Sequence, residues 1–200
     1  MKIALALVLA LSGVYAAPTS QLKCNKVAGP GKLMFEDMKK PYSRTVAAFG
    51  KQHTAADGHP VLSAAHNNAT SQEFQFFSCA ADEQFQVTTG TGSRSGHVQA
   101  LGVLRSVKHP DQCLTVHSAN AAPAWGKKGK DYLGLYNCAG RGYDKGLEFQ
   151  WFDYYNGRIT FKGKKGDPWR PLVKVDGDGV AWMLPVQDDE KKYKGLILSQ

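Results

Sequence analysis

The 200-residue chain is short of several things, and each shortage excludes a class of protein. Its one strongly apolar run, Ile3 to Leu11, falls well below the roughly 20 residues that span a bilayer as a helix. No later stretch is apolar enough to span, so no transmembrane helix is expected. With 21 Gly and 9 Pro the chain is too poor in both for a collagen-like or low-complexity polymer. Charged residues make up only 21% against 42% hydrophobic, which excludes disorder over most of the length. No stretch of eleven or more residues carries good apolar spacing at three and four, so helices are expected to be scarce. The four cysteines form no Cys-x-x-Cys pair, which argues against a zinc knuckle or a redox motif. Neither Gly-x-Ser-x-Gly nor His-Glu-x-x-His is present.

What is present begins with a leader. Lys2 precedes the apolar run, and Val14-Tyr15-Ala16 places small or tolerated residues at a cleavage site. Residues 1–16 therefore read as a secretory signal peptide, and the mature chain as a secreted, extracellular protein. In an oxidising compartment Cys24, Cys79, Cys113 and Cys138 suggest two disulfides, with three connectivities open. Asn68-Ala69-Thr70 is a glycosylation sequon.

The body of the chain reads as short β-rich runs separated by turn signals such as Asp57-Gly58, Gly90 to Gly96 and Asn156-Gly157. Twelve such runs fall between Thr45 and Leu198. Segments around Thr45 to Gly50, Gly96 to Gly102 and Gly157 to Gly163 resemble one another, and each leads into three further strands. The reading is an all-β protein, a β-trefoil of three four-stranded repeats (about 45–95, 96–156 and 157–200) with an N-terminal extension over 17–44. Three such units close a six-stranded barrel and cap it with hairpins, which removes exposed strand edges. Within the extension, Lys32 to Glu36 is a candidate added strand.

Four segments carry a family resemblance: Gln112-Cys113-Leu114-Thr115-Val116, Leu133 to Cys138, Phe149-Gln150-Trp151-Phe152 and Asn156-Gly157-Arg158-Ile159. Together they resemble the repeat of ricin B-type lectins, Cys-Leu-Asp-Val, apolar-x-Leu-x-x-Cys, Gln-x-Trp and Gly-x-Ile, best over residues 96–185. Phe152 stands where that family has its core Trp. The resemblance implies a β-trefoil with shallow sugar pockets and a disulfide between Cys113 and Cys138, which leaves Cys24 for Cys79. The family's sugar-chelating Asp position holds Ser63, Thr115 and Lys174 in the three repeats, and none can replace a carboxylate that chelates two hydroxyls. The aromatic position corresponds to Phe77 and Tyr136, with Trp182 nearest in the third repeat.

The candidate ligand residues are therefore Asp176 or Asp178 as acceptor with Trp182 as platform, joined by Tyr136, Asn137 and the loop residue Trp125. Lys127 to Lys130, Lys162 to Lys165 and Lys191 to Lys194 are basic clusters in a chain of formal charge +8, able to meet anionic polysaccharide. The six His and the runs Asp82-Glu83 and Asp188-Asp189-Glu190 form no recognisable catalytic constellation. The expectation is a non-enzymatic, monomeric carbohydrate-binding protein that acts at a cell wall or on extracellular glycans. Such a protein would suit a fungal secretome. No cofactor, metal or nucleic acid is expected. The alternative is a trefoil that has lost sugar binding and acts as a protein-binding effector or protease inhibitor.

Overall fold

The computed structural model describes residues 22–40, 42–54, 58–65, 71–80, 91–94, 97–117, 131–139, 146–163, 172–183 and 194–200. Thirteen strands form among them. They are β1 (Lys23–Asp37), β2 (Arg44–Thr54), β3 (Pro60–Ala64), β4 (Glu73–Ala80), β5 (Thr91–Arg94), β6 (His97–Ser106) and β7 (Gln112–His117). The second half contributes β8 (Asp131–Asn137), β9 (Phe152–Tyr155), β10 (Arg158–Phe161), β11 (Leu172–Val175), β12 (Ala181–Met183) and β13 (Lys194–Ser199). One 3-10 turn, Leu147–Gln150, precedes β9.

Every pairing is antiparallel. β1 pairs β4, β4 pairs β6, β6 pairs β9, β9 pairs β10, β10 pairs β13, and β13 returns to β1. The ring is thus closed, and its wall has no free edge along this path. The hairpins β2–β3, β7–β8 and β11–β12 join one another through Val61 opposite Gly134, Trp182 opposite Tyr132, and a bridge from Ser63 to Val180.

Alternation along each strand explains the burial. Leu33 and Phe35 of β1, Phe74 and Phe76 of β4, and Leu196 and Leu198 of β13 enter the same central core, while the residues between them face outward. A second cluster lies under the disulfides, where Trp151, Leu101, Val103 and Leu147 pack around Cys79, Cys113 and Cys138. A third, of Val61, Tyr132, Val180 and Trp182, sits where the hairpins meet.

The all-β expectation holds, but the architecture is corrected. The strands form one continuous antiparallel sheet closed into a barrel, not the three-repeat β-trefoil with an extension laid upon it. The expected extension supplies the fifteen-residue β1, which pairs with β2, β4 and β13 and seals the ring. β5, in a stretch read as a turn, adds to β6 off the closed path. The misreading has a physical cause. Gly29-Pro30-Gly31 carries the residues of a turn, yet here it forms an irregularity inside β1, where the register to β4 shifts between Lys26, Ala28 and Gly31. The expected strand at Phe85 to Thr88 lies outside the described residues.

Both disulfides are present, Cys24–Cys79 and Cys113–Cys138. They suit an oxidising environment. Among the described residues no helix is long and apolar enough to cross a membrane.

Candidate functional site

The end of β1 builds one wall of a cleft. Because Leu33 and Phe35 point into the core, Glu36 is thrown to the outer face, yet it remains buried there. The chain then turns through residues 37–43. Asp37 accepts a hydrogen bond from the backbone N–H of Lys39 at 2.8 Å, which holds its carboxyl below the usual carboxylate range. Tyr42 sits on this turn with a positive φ of 85° and 87% of its surface exposed. β2 opens with Arg44, directly opposite Glu36 in the β1–β2 register.

The other wall comes from far along the chain. β9 and β10 are joined by Asn156 and Gly157, with φ of 47° and 86°. Positive φ at both central residues is the two-residue hairpin turn whose twist matches its strands. It delivers Arg158, opposite Tyr155 on β9 and opposite Ile197 on β13.

Glu36 joins the two walls. Its Oε1 accepts from Arg44 Nε at 3.3 Å and Nη2 at 3.2 Å, and its Oε2 accepts from Arg158 Nη2 at 3.4 Å. The carboxylate side chain is 8% exposed, whereas those of Arg44 and Arg158 are 40% and 60% exposed. Each guanidinium carries five N–H donors, so one carboxylate does not exhaust the pair. The cleft measures about 430 Å³ and is lined also by Tyr42, Tyr154, Asn156, Ile197 and Ser199. It therefore combines a fixed acceptor, two forked cations and an exposed aromatic ring.

The residues singled out from sequence lie elsewhere. Asp176 opens the β11–β12 turn, and its Oδ1 accepts from the backbone N–H groups of Asp178 and Val180, both at 3.0 Å. Asp178 is exposed on that turn. Trp182 follows on β12 but is buried, its ring stacked on Tyr132 at 5.4 Å between centroids. Tyr136 is buried on β8 beneath His59, with rings stacked at 4.1 Å. Asn137 is exposed, and its backbone carbonyl accepts from Gln150 Nε2 at 2.8 Å. The fold brings Asp176, Asp178 and Trp182 to one hairpin, but the ring turns inward. Trp125 and Asn68 lie outside the described residues.

The three positions that correspond to the lectin Asp divide in the same way. Ser63 is buried and donates to the carbonyl of Ala48 at 3.3 Å. Thr115 is buried, donates to the carbonyl of Cys113 at 3.1 Å and accepts from Gln150 Nε2 at 3.0 Å. Lys174 is exposed on β11.

Sequence reading missed Glu36, Arg44 and Arg158 as a group, since 122 residues separate Glu36 from Arg158. The available signal was local. Glu36 follows the apolar Leu33-Met34-Phe35, and Arg158 follows an Asn-Gly turn. Nothing local says that the two meet.

One more carboxylate lies on the outer wall. Asp153 of β9 is buried, with Oδ2 accepting from Gln99 Nε2 at 3.3 Å. Its Oδ1 has no hydrogen-bond partner among the described residues, and burial pushes the carboxyl above its usual range. Among the described residues no group of three or more His, Cys, Asp or Glu stands where it could hold a metal ion. Compared with known proteins, the chain matches no family model, no curated protein and no solved structure.

Proposed function

We propose that this chain is a secreted, lectin-like carbohydrate-binding protein rather than an enzyme, and that the Glu36–Arg44–Arg158 cleft is its binding site. One observation carries the reading. Two guanidiniums from opposite walls are anchored on a single buried carboxylate beside an exposed tyrosine. Sugars are recognised by such sets: an aromatic face covers the C–H side of the ring, and charged groups hydrogen-bond its hydroxyls. A volume of about 430 Å³ falls within the usual range of ligand pockets. Glu36 is engaged on both oxygens by arginines, which suits a scaffold carboxylate better than a proton shuttle. The leader at 1–16 and the two disulfides support an extracellular setting.

The test is a glycan array with the oxidised protein at low and high salt, repeated with Tyr42→Ala and Arg44→Met. The expected result is binding to a defined glycan set that falls at least tenfold in both variants at either salt concentration. Absence of binding to any glycan overturns the reading, and so does binding that both variants retain unchanged.

A further inference from the structure

The registers of the barrel wall extend the cleft into a track. Outward-facing positions line up across six neighbouring strands. Arg44 of β2 is opposite Glu36 of β1. Two residues back on the same face of β1, Met34 is opposite Ile197 of β13, and Ile197 is opposite Arg158 of β10. Arg158 is opposite Tyr155 of β9, and Tyr155 is opposite Gln99 of β6. The hydrogen bond from Gln99 to Asp153, two residues before Tyr155, confirms that these side chains share the outer face. The wall curves around the barrel, so only neighbouring positions share a straight stretch: Tyr155 stands one strand spacing, about 4.8 Å, beyond Arg158, within reach of a second sugar unit.

The chemistry changes along the track. At one end stand Tyr42 and the two arginines about Glu36, a set of net charge +1. Past Arg158 the next outward residue is Tyr155, 38% exposed, a second aromatic surface one strand beyond the cation. Asp153, the carboxylate closest to this ring along the strand, is buried and engaged by Gln99. A planar carboxylate matches the guanidinium fork in a way a hydroxyl does not.

We infer that the site takes a linear, carboxylate-bearing polysaccharide of the uronate class, laid across the strands. One acidic unit sits at Arg44 and Arg158, and a following unit stacks on Tyr155. The inference rests on the carbohydrate-binding reading and sharpens it to an acidic chain of several units.

The experiment is a titration of the full, oxidised chain with oligogalacturonates from the single unit to the hexamer, and with neutral oligogalactoses of equal length, at physiological salt. Uronate affinity is expected to rise with length, and neutral chains to bind at least tenfold more weakly than uronates of the same length. Tyr155→Ala is expected to remove three- to tenfold of the gain with length. Arg158→Met should weaken every length, and Arg158→Lys, which keeps the charge but not the fork, should recover only part. Circular dichroism of each variant establishes that it folds. Equal affinity for uronate monomer and hexamer, or a hexamer indifferent to Tyr155→Ala, overturns the track while the binding reading stands. Neutral chains bound as tightly as acidic ones overturn the uronate class. Failure of every saccharide overturns the underlying reading as well.

Discussion

Among individual residues, two buried polar groups show opposite solutions. Gln150 is fully buried and its amide is engaged at both ends. Its Oε1 accepts from Ala139 N at 2.8 Å, while Nε2 donates to Asn137 O and Thr115 Oγ1. A satisfied buried network fixes geometry, here tying β7, the end of β8 and the 3-10 turn together. Asp153 is the contrasting case, a carboxylate buried with only one oxygen engaged. Burial raises its folded-state pKa above that of a free aspartate, so the folded state holds the proton more tightly than the unfolded chain does. The stability this contributes is full below the unfolded pKa and is lost as pH rises through the folded one. Asp153→Asn keeps an acceptor for Gln99 without the charge. Urea midpoints at about pH 3 and about pH 7 should show the variant gaining on the parent at the higher pH. A gap that stays constant or narrows would contradict the burial argument.

Sequence reading reached this scale unevenly. The Gln-x-Trp-like segment carries only a family resemblance, and the structural role of Gln150 becomes visible with its hydrogen bonds. Trp151 fills the second core and Phe152 the central one, because successive strand residues face opposite sides of the wall. Trp182 is the aromatic nearest to the lectin position in the third repeat, with Asp176 and Asp178 on the preceding turn, and the packing of the three hairpins places it inside.

For the elements, β1 is the centre of the fold. It spans fifteen residues, bends through its Gly-Pro-Gly irregularity and pairs with three strands. Cys24 and Cys79 stand directly opposite in its pairing with β4, so their disulfide holds the start of the strand while β13 holds its end. A loop of 55 residues is closed by that bond, against 25 for Cys113–Cys138. Replacing both Cys24 and Cys79 by Ser should therefore cost about 2–4 kcal/mol, read as a fall in the denaturant midpoint. A change below about 0.5 kcal/mol would mean that β1 is held by its ladder alone. Gly102 illustrates how close the strands come. A Cβ there would collide with the carbonyl oxygen of Phe77 on the neighbouring β4, so the tight β4–β6 contact needs glycine.

Across the whole molecule, closure decides how stability is shared. The ring runs through six strands and the hairpins lock to one another, so no strand of the ring can leave without exposing part of a core. Long-range pairings of this kind favour one cooperative unit. Trp151 reports the second core and Trp182 the third, which makes the point measurable. With all tryptophans but one replaced by Phe, the Trp151-only protein should show coincident fluorescence and far-ultraviolet dichroism transitions. The Trp182-only protein should do the same. A fluorescence transition clearly earlier than the dichroism transition would show that its cluster melts as a separate unit.

The all-β class was determined by the sequence itself: period-two apolar runs, frequent turn residues and scarce helical spacing are local properties of a chain. The pattern read as a leader and the even cysteine count are local as well. Which strands pair, that β1 seals the wall, and that Glu36 receives Arg44 and Arg158 were decided only by the tertiary structure. The physical reason is that alternation says which face a side chain takes, but not which distant strand lies beside it. Partners are chosen by closing the barrel around a shared core, and the cleft exists where that closure brings opposite ends of the chain together.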